Sequence, residues 1–264
     1  MFEGEYLNDY PNGKGTEYYD IGKIKFIGEY SNGKRWNGNG YDIYGNKKFE
    51  IKEGKGHIKE YEDHNYNLIF EGDYLNGEKN GYGKEFYKNG YIKFEGEYLN
   101  EKRWNGKIYD KYGNNEYEIK EGKGYIKEYN DFNGKLIFEG EYLNGEKAKG
   151  KQYNVFGQLL FEGDYLNGKF NGQGKLYDEL NHKLIYEGEF LNEKRKGKGK
   201  EYYYDGSLQF EGEYLNEIWN GKGYNINGNE EFEIKNGKGY VKEFNYVNGA
   251  VLFEGEYLNG KRDG

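Results

Sequence analysis

The sequence feature that most constrains the fold is a short repeat that runs through the whole chain. Each copy opens with an aromatic residue, and the openings are nearly evenly spaced. They are Phe2, Phe26, Phe49, Phe70, Phe94, Tyr117, Phe138, Phe161, Tyr186, Phe210, Phe232 and Phe253. A period of roughly 23 residues is typical of arrays that stack one supersecondary unit many times. The sequence therefore predicts a single repeat array over residues 1–264, with an incomplete last unit.

The unit that opens at Phe70 has the pattern of one β-hairpin. In an extended strand its side chains alternate between two faces, with Phe70, Gly72 and Tyr74 on one of them. The stretch Asn76-Gly-Glu-Lys-Asn-Gly is typical of a turn, and a second strand rich in aromatic residues begins at Tyr82. Because the other segments are trimmed or lengthened copies, we expect about 11 to 12 successive hairpins along the chain.

A second level of order groups the units in blocks of three. The spacing of the three openings that begin at Phe2 recurs in the three that begin at Phe70, and imperfectly in those that begin at Tyr186. The third member of each block is shortened at its turn. The resulting two-residue sequences are Glu53-Gly54, Glu121-Gly122 and Asn236-Gly237. Such pairs are typical of tight β-hairpin loops, so we expect a hairpin turn at each.

Composition limits the kind of protein that these hairpins can build. Only 34% of the residues are hydrophobic and the mean hydropathy is -1.20, so we expect a thin structure without a thick core. The net charge of -8 argues against nucleic-acid binding, which needs clustered Lys and Arg. The sequence has no apolar run of about 20 residues and no basic-then-apolar start. We therefore expect a cytoplasmic protein, either free or peripheral to membrane or cytoskeleton.

The residue types that support catalysis or metal binding are scarce. The only serines, threonine and histidines are Ser31, Ser207, Thr16, His57, His64 and His182, and there is no cysteine. No histidine has a metal-ligand spacing. Carboxylate pairs such as Glu95 and Glu97 recur in most units, whereas a catalytic pair is a local exception with shifted pKa values. We therefore expect no enzymatic activity, no catalytic residue, no cofactor, no metal site and no small-molecule substrate.

The glycine spacing resembles that of a known repeat family. Gly72, Gly77, Gly81 and Gly83 follow Phe70 in the order G-x4-G-x3-G-x-G. This pattern is similar to the MORN (membrane occupation and recognition nexus) repeat. The resemblance implies an all-β fold: an elongated, single-layer antiparallel ribbon of successive hairpins, twisted and with a grooved aromatic face. It also implies binding of a protein partner in that groove, or self-association, with a dimer expected.

Three sets of residues are candidates for an interaction site. A ladder of tyrosines would line the groove: Tyr74, Tyr98, Tyr142, Tyr165 and Tyr214. Three tryptophans, placed by the sequence in the turns within units, would either fold back onto a hairpin or anchor a partner. They are Trp36, Trp104 and Trp219. All four arginines fall in the same turns and would form a basic rim for anions or lipid: Arg35, Arg103, Arg195 and Arg262.

Two functions are consistent with these sets. In the first, the protein is a scaffold that presents the aromatic groove to a protein partner or to its own copy. The alternative is a peripheral membrane adaptor whose Lys/Arg rim binds anionic phospholipid headgroups. The net charge of -8 favours the scaffold.

Overall fold

The computed structural model of the protein describes residues 1–215 and 217–263, so Asn216 and Gly264 of the predicted array lie outside the described residues. Within these ranges the regular secondary structure is β-strand. The described residues form no helix of the length and hydrophobicity that a membrane span requires. The chain divides into two compact units, of which the first comprises residues 1–134 and 142–145 and the second comprises residues 135–141 and 146–264.

The strands follow the predicted hairpins along the chain. Those of the first unit are β1 (Phe2–Leu7), β2 (Tyr10–Tyr18), β3 (Ile24–Ser31), β4 (Lys34–Tyr41), β5 (Lys47–Ile51), β6 (Gly56–Tyr61), β7 (Leu68–Leu75), β8 (Glu78–Phe86), β9 (Ile92–Leu99), β10 (Lys102–Tyr109), β11 (Asn115–Ile119) and β12 (Gly124–Tyr129). Residues of β13 (Leu136–Leu143) belong to both units. The second unit continues with β14 (Glu146–Tyr153), β15 (Leu159–Leu166), β16 (Lys169–Tyr177), β17 (Leu184–Leu191), β18 (Lys194–Tyr202), β19 (Leu208–Leu215), β20 (Glu217–Tyr224), β21 (Glu230–Ile234), β22 (Gly239–Phe244), β23 (Val251–Leu258) and β24 (Lys261–Arg262).

The opening aromatics occupy equivalent places among the strands. Each of the twelve opening aromatics lies in an odd-numbered strand, and the following even-numbered strand returns antiparallel to it. The turns between them use residues that tolerate positive φ: Asn76 and Gly77 have φ of 55° and 73°, and Glu53 and Gly54 have φ of 49° and 69°. Two successive positive φ values define the turn type that matches strand twist in two-residue hairpins. The predicted two-residue loops are therefore confirmed.

The ladder of paired strands is less continuous than the predicted single sheet. It is interrupted between β5 and β6, between β11 and β12, and between β21 and β22. These interruptions coincide with the shortened hairpins, where the described residues form only the isolated bridges Lys52↔Lys55, Lys120↔Lys123 and Lys235↔Lys238. The two strands of a shortened hairpin pair with their outer neighbours, β5 with β4 and β6 with β7 in the first case. The breaks in the ladder therefore recur at the third hairpin of each block.

Rows of paired glycines allow neighbouring strands to approach closely. Gly72 of β7 pairs with Gly83 of β8, and a Cβ added to Gly72 would lie 2.6 Å from the Cα of Gly83 and 2.8 Å from the Phe70 ring. The phenylalanines that flank these rows, among them Phe70 and Phe94, are buried. The Phe70 ring and the backbone of the neighbouring strand together occupy the space that a side chain at Gly72 would fill.

Candidate functional site

The aromatic face of the first unit is closed by a repeated cluster of three polar side chains. The hydroxyl of Tyr98 donates to Glu85 Oε1 at 2.6 Å, and Arg103 Nε donates to the same carboxylate at 3.1 Å. The Arg103 guanidinium also lies over the Phe94 ring, 5.1 Å from its centre. A planar cation can stack on a ring and still pair with a carboxylate, so one arginine covers the ring and neutralises the acid.

The same cluster recurs with small variations. Tyr30, Glu17 and Arg35 cover Phe26, and Tyr257, Glu243 and Arg262 cover Phe253. In the unit that opens at Phe70, Lys79 replaces arginine over the ring at 4.1 Å, and the Tyr74 hydroxyl donates to Glu60 at 2.9 Å. The polar residues therefore cover the aromatic rings of these described repeats and leave no open groove above them.

Electrostatics favour the ionised form of the carboxylate in the clusters of Glu85 and Glu17. Burial opposes ionisation of Glu85, but the Arg103 guanidinium and the Tyr98 hydroxyl outweigh it and lower the pKa of Glu85 from 4.5 to about 2. Burial likewise opposes ionisation of Glu17, and Arg35 outweighs it, so that the pKa of Glu17 is lowered. Burial raises the pKa of Tyr98, and the neighbouring Glu85 charge raises it further. Each cluster is thus a carboxylate held between a cation and a phenol.

The tyrosine ladder lies in the packed interior of this face. Tyr98 is 4% exposed, Tyr165 6% and Tyr214 4%, while Tyr74 and Tyr142 are partly buried. The predicted ladder is therefore present, with ring contacts such as Phe94 to Tyr98 at 5.2 Å. Its rings contact phenylalanines, and this burial leaves little of them for a partner to touch.

The arginines do not form the free basic rim predicted from the sequence. Arg35 and Arg103 have side chains only 17% and 15% exposed and are paired with glutamates. Arg195 is paired with Glu201 at 2.5 Å, and Arg262 with Glu243 at 2.8 Å. The sequence placed these residues at hairpin turns, but their side chains fold over the neighbouring aromatic rings. Anion binding by these arginines would require breaking those pairs.

The tryptophans form a contact that joins the hairpins of one block to the next. The carbonyl of Trp36 accepts from the N–H of Gly54 at 2.8 Å, and the carbonyl of Gly54 accepts from the N–H of Gly77 at 2.9 Å. A Cβ added to Gly54 would lie 2.8 Å from Cζ3 of the Trp36 ring. The same contacts occur at Trp104, Gly122 and Gly145 and at Trp219, Gly237 and Gly260. We call each set a tryptophan clasp.

Each tryptophan lies in a strand rather than in the predicted turn. Trp104 belongs to β10, and the pairing with β9 skips it: Arg103 pairs with Tyr98 and Asn105 pairs with Glu97. This extra residue is a β-bulge, which redirects the side chain and bends the strand. Asn105 then links the bulge to the next turn, since its side-chain oxygen accepts from the Glu121 N–H at 2.8 Å. The structure places the tryptophan on a neighbouring hairpin, one of the two alternatives left open by the sequence.

The opposite face of the second unit carries charged side chains along the glycine row. Glu162, Lys175, Glu187, Lys200 and Glu211 are successive cross-strand partners of alternating charge. Their ion pairs are long, with Lys175 to Glu187 at 3.7 Å and Lys200 to Glu211 at 3.6 Å. Together with the glycines they line an open depression of about 690 Å³ that crosses β14 to β19.

A second depression of about 650 Å³ on the second unit is lined by Leu191, Leu215 and Trp219 together with Glu189 and Glu213. The two depressions share Glu213. The two leucines belong to a set that recurs five residues after most opening aromatics, and Leu166, Leu191 and Leu215 are 56%, 41% and 51% exposed. We call these three residues the leucine row.

The leucine row is not among the interaction residues predicted from the sequence, although a leucine five residues after most opening aromatics is visible there. Because side chains alternate along a strand, the leucine lies on the face opposite to the opening phenylalanine. The same position is occupied in the first unit by Leu7, Leu75, Leu99 and Leu143, and in the second by Leu258. A row of exposed apolar residues on an otherwise charged face is a candidate interaction surface.

Two of the three histidines lie beside aspartates at exposed sites. The Nδ1 of His57 lies 2.8 Å from Asp73 and that of His64 lies 2.8 Å from Asp20, both at exposed sites, and His182 occupies a loop with φ of 61°. Across residues 1–215 and 217–263, no group of three or more potential metal ligands is found.

Comparison with known proteins gives one family match. The family model described as MORN repeat matches residues 2–24, 70–90, 161–179, 186–208 and 253–264. No curated protein matches the chain. A solved structure titled "Crystal Structure of TcdB2-TccC3-Cdc42" is 10% identical, and the match covers 92% of this chain and 17% of that chain at a TM-score of 0.19.

Proposed function

This chain is a MORN-repeat protein, and from that premise we propose that it is a non-enzymatic scaffold that binds a protein partner. The observation that carries the proposal is the contrast between its two faces. The aromatic face is closed by ion pairs over buried rings, as at Glu85 and Arg103, whereas the charged face carries a row of exposed leucines. Side chains held on a hydrogen-bonded strand array lose little freedom on binding, which favours recognition.

The leucine row of the second unit is the surface that fits this role best. Leu191 and Leu215 lie beside the half-buried Trp219 in one depression, so three large apolar side chains share a single concave site. Buried aromatic and aliphatic anchors dominate the energetics of protein interfaces. Polar residues, among them Glu189 and Glu213, surround the apolar centre as an interface rim would.

The scaffold proposal is tested by proximity labelling in cells with three versions of the full chain: wild type, Leu191→Ser/Leu215→Ser and Leu180→Ser. Leu180 is 88% exposed but lies in a connecting loop outside the leucine row, so it is a matched control. We expect proteins enriched by the wild type and by Leu180→Ser to be lost by the double variant. Identical labelling by all three versions would contradict the proposal.

The alternative of a membrane adaptor is weakened by the state of the arginines. Arg35 and Arg103 are paired with glutamates and stacked on rings, so their charges are already neutralised by carboxylates of the same chain. Sedimentation with liposomes that contain or lack phosphatidylserine tests this directly. We expect no difference between the two, and selective sedimentation with the anionic liposomes would favour the adaptor.

A further inference from the structure

The leucine row repeats at a distance that an α-helix can match. Leu166, Leu191 and Leu215 lie on β15, β17 and β19, two strands apart each time, and two strand spacings are about 9.6 Å. In a helix, residues seven apart point the same way and are separated by about 10.5 Å. An extended chain laid across these strands returns to the same face about every 7 Å, which does not match the row.

The charges around the leucine row are ordered as well. On one side runs an acidic row: Asp164, Glu189 and Glu213, each two residues before a leucine. Glu189 accepts from the backbone N–H of Lys198 at 3.4 Å, and Glu213 accepts from the Asn220 side chain at 3.0 Å. In the described part of the chain neither of these two glutamates forms an ion pair, so both can pair with a partner.

Lysines alternate with the leucines along the row itself. Lys169 is the cross-strand partner of Leu166, and Lys194 is that of Leu191. Both lysines are exposed. In a helix whose apolar residues contact successive leucines, the residues three or four positions after each apolar residue lie near these ammonium groups. The reason is that half of the seven-residue helical repeat is about 5 Å long.

We propose that the leucine row of the second unit binds an amphipathic α-helix of another protein that lies across strands β15 to β19. The helix carries apolar residues seven apart that contact Leu166, Leu191 and Leu215. It carries basic residues on the flank that faces the acidic row, and acidic residues between the apolar positions that face Lys169 and Lys194. The acidic row on one flank and the lysines between the leucines together fix the orientation of the helix. This inference rests on the proposed scaffold function and names its partner class.

The test uses a phage-displayed library of helices of about 21 residues, on the order of 30 Å long, with both the apolar and the charged positions randomised and the full chain as target. We expect the selected helices to keep apolar residues seven apart and a basic flank. Leu191→Ser/Leu215→Ser should weaken their binding by at least about tenfold, as expected for loss of interface anchors. Leu180→Ser should bind them as the wild type does.

A charge reversal distinguishes binding of an oriented amphipathic helix from non-specific apolar binding. Glu189→Lys/Glu213→Lys leaves the leucines in place and should make the same library yield helices with an acidic flank. The proposal is overturned if no helix is selected, if the selected helices lack the seven-residue spacing, or if the charge reversal does not change the flank. If proximity labelling still depends on Leu191 and Leu215 in that case, the scaffold function stands and only the helical partner is rejected.

Discussion

Tyr98 and Tyr165 occupy the same position in two repeats, yet their hydroxyls have different surroundings. Tyr98 donates to Glu85, and the residue equivalent to Glu85 in the other repeat is Gln152. Within the described residues the Tyr165 hydroxyl is buried and has no hydrogen-bond partner. There the cation is also replaced, since Phe170 stacks on Phe161 with ring centres 3.7 Å apart. One repeat of the second compact unit therefore has a purely aromatic cluster.

This difference predicts opposite results for one substitution at two sites. Tyr98→Phe removes a hydrogen bond to a charged group and should lower the free energy of unfolding by about 1.5 to 3 kcal/mol. Tyr165→Phe removes a buried hydroxyl without a partner and should leave the free energy unchanged or raise it by up to about 1 kcal/mol. Urea denaturation of the two variants measures both. Equal losses would mean that the Tyr165 hydroxyl has a partner after all.

The buried carboxylate of Glu85 makes stability depend on pH. Its folded pKa of about 2 lies below the usual 4.5, so the stabilisation is fully present above about pH 4.5 and is lost as pH falls through about 2. A shift of this size corresponds to on the order of 3 kcal/mol. Glu85→Gln should therefore flatten the fall in unfolding free energy between pH 4.5 and 2. Glu118→Gln, at a half-exposed site, is the control and should keep the wild-type slope.

At the scale of the hairpin, the tryptophan clasp leaves no room for a side chain at Gly122. A Cβ on Gly122 would lie 2.6 Å from the Gly145 nitrogen and 2.8 Å from the Trp104 ring, and its φ is +69°. Gly90 has a φ of +85° but nothing within 4 Å of the added Cβ. Gly90→Ala should cost about 1 to 2 kcal/mol through backbone strain alone. Gly122→Ala should cost a further 1 to 3 kcal/mol, roughly, through overpacking.

Thermal unfolding of the two alanine variants measures that difference. Trp104→Ala should cost less in the Gly122→Ala background than in the wild type, because the ring is one of the groups that the new methyl meets. Equal costs in the two backgrounds would indicate that the backbone of Asn144 and Gly145 alone sets the penalty at Gly122.

The elements themselves were predictable from the sequence, and the side-chain directions at the bulges were not. Alternation and glycine spacing were sufficient for the hairpins and for the turn at Glu53-Gly54, because both are local properties. The bulge at Trp104 adds one residue to a strand and redirects its side chain, which the sequence pattern does not indicate. The sequence also assigns Arg103 to a turn on a free rim, whereas the structure places it in β10 with its guanidinium over Phe94. The repeated leucine is visible in the sequence. The residues that lie beside each leucine on adjacent strands depend on the strand register, which the sequence pattern does not give.

At the scale of the whole molecule, strands contact chiefly their neighbours along the chain, so damage should remain local. Gly163→Val is a suitable test, because a Cβ there would already lie 2.6 Å from the Cα of Gly174. We expect faster amide hydrogen exchange in β14 to β17 and unchanged protection in β1 to β5. Glu162→Gln, on the charged face beside it, should change neither region. Uniform loss of protection along the chain would contradict nearest-neighbour energetics.

The tryptophan clasp also bears on how such a chain changes length over generations. The first two clasps have identical internal spacing and occupy equivalent positions of two successive blocks, and each joins its block to the first turn of the next. An unequal exchange between two blocks of the gene therefore replaces every clasp residue by its equivalent, and no turn loses its tryptophan. Gain or loss of a single hairpin would leave a shortened turn without that support. Exchange of whole blocks of three hairpins therefore keeps every contact of the clasp.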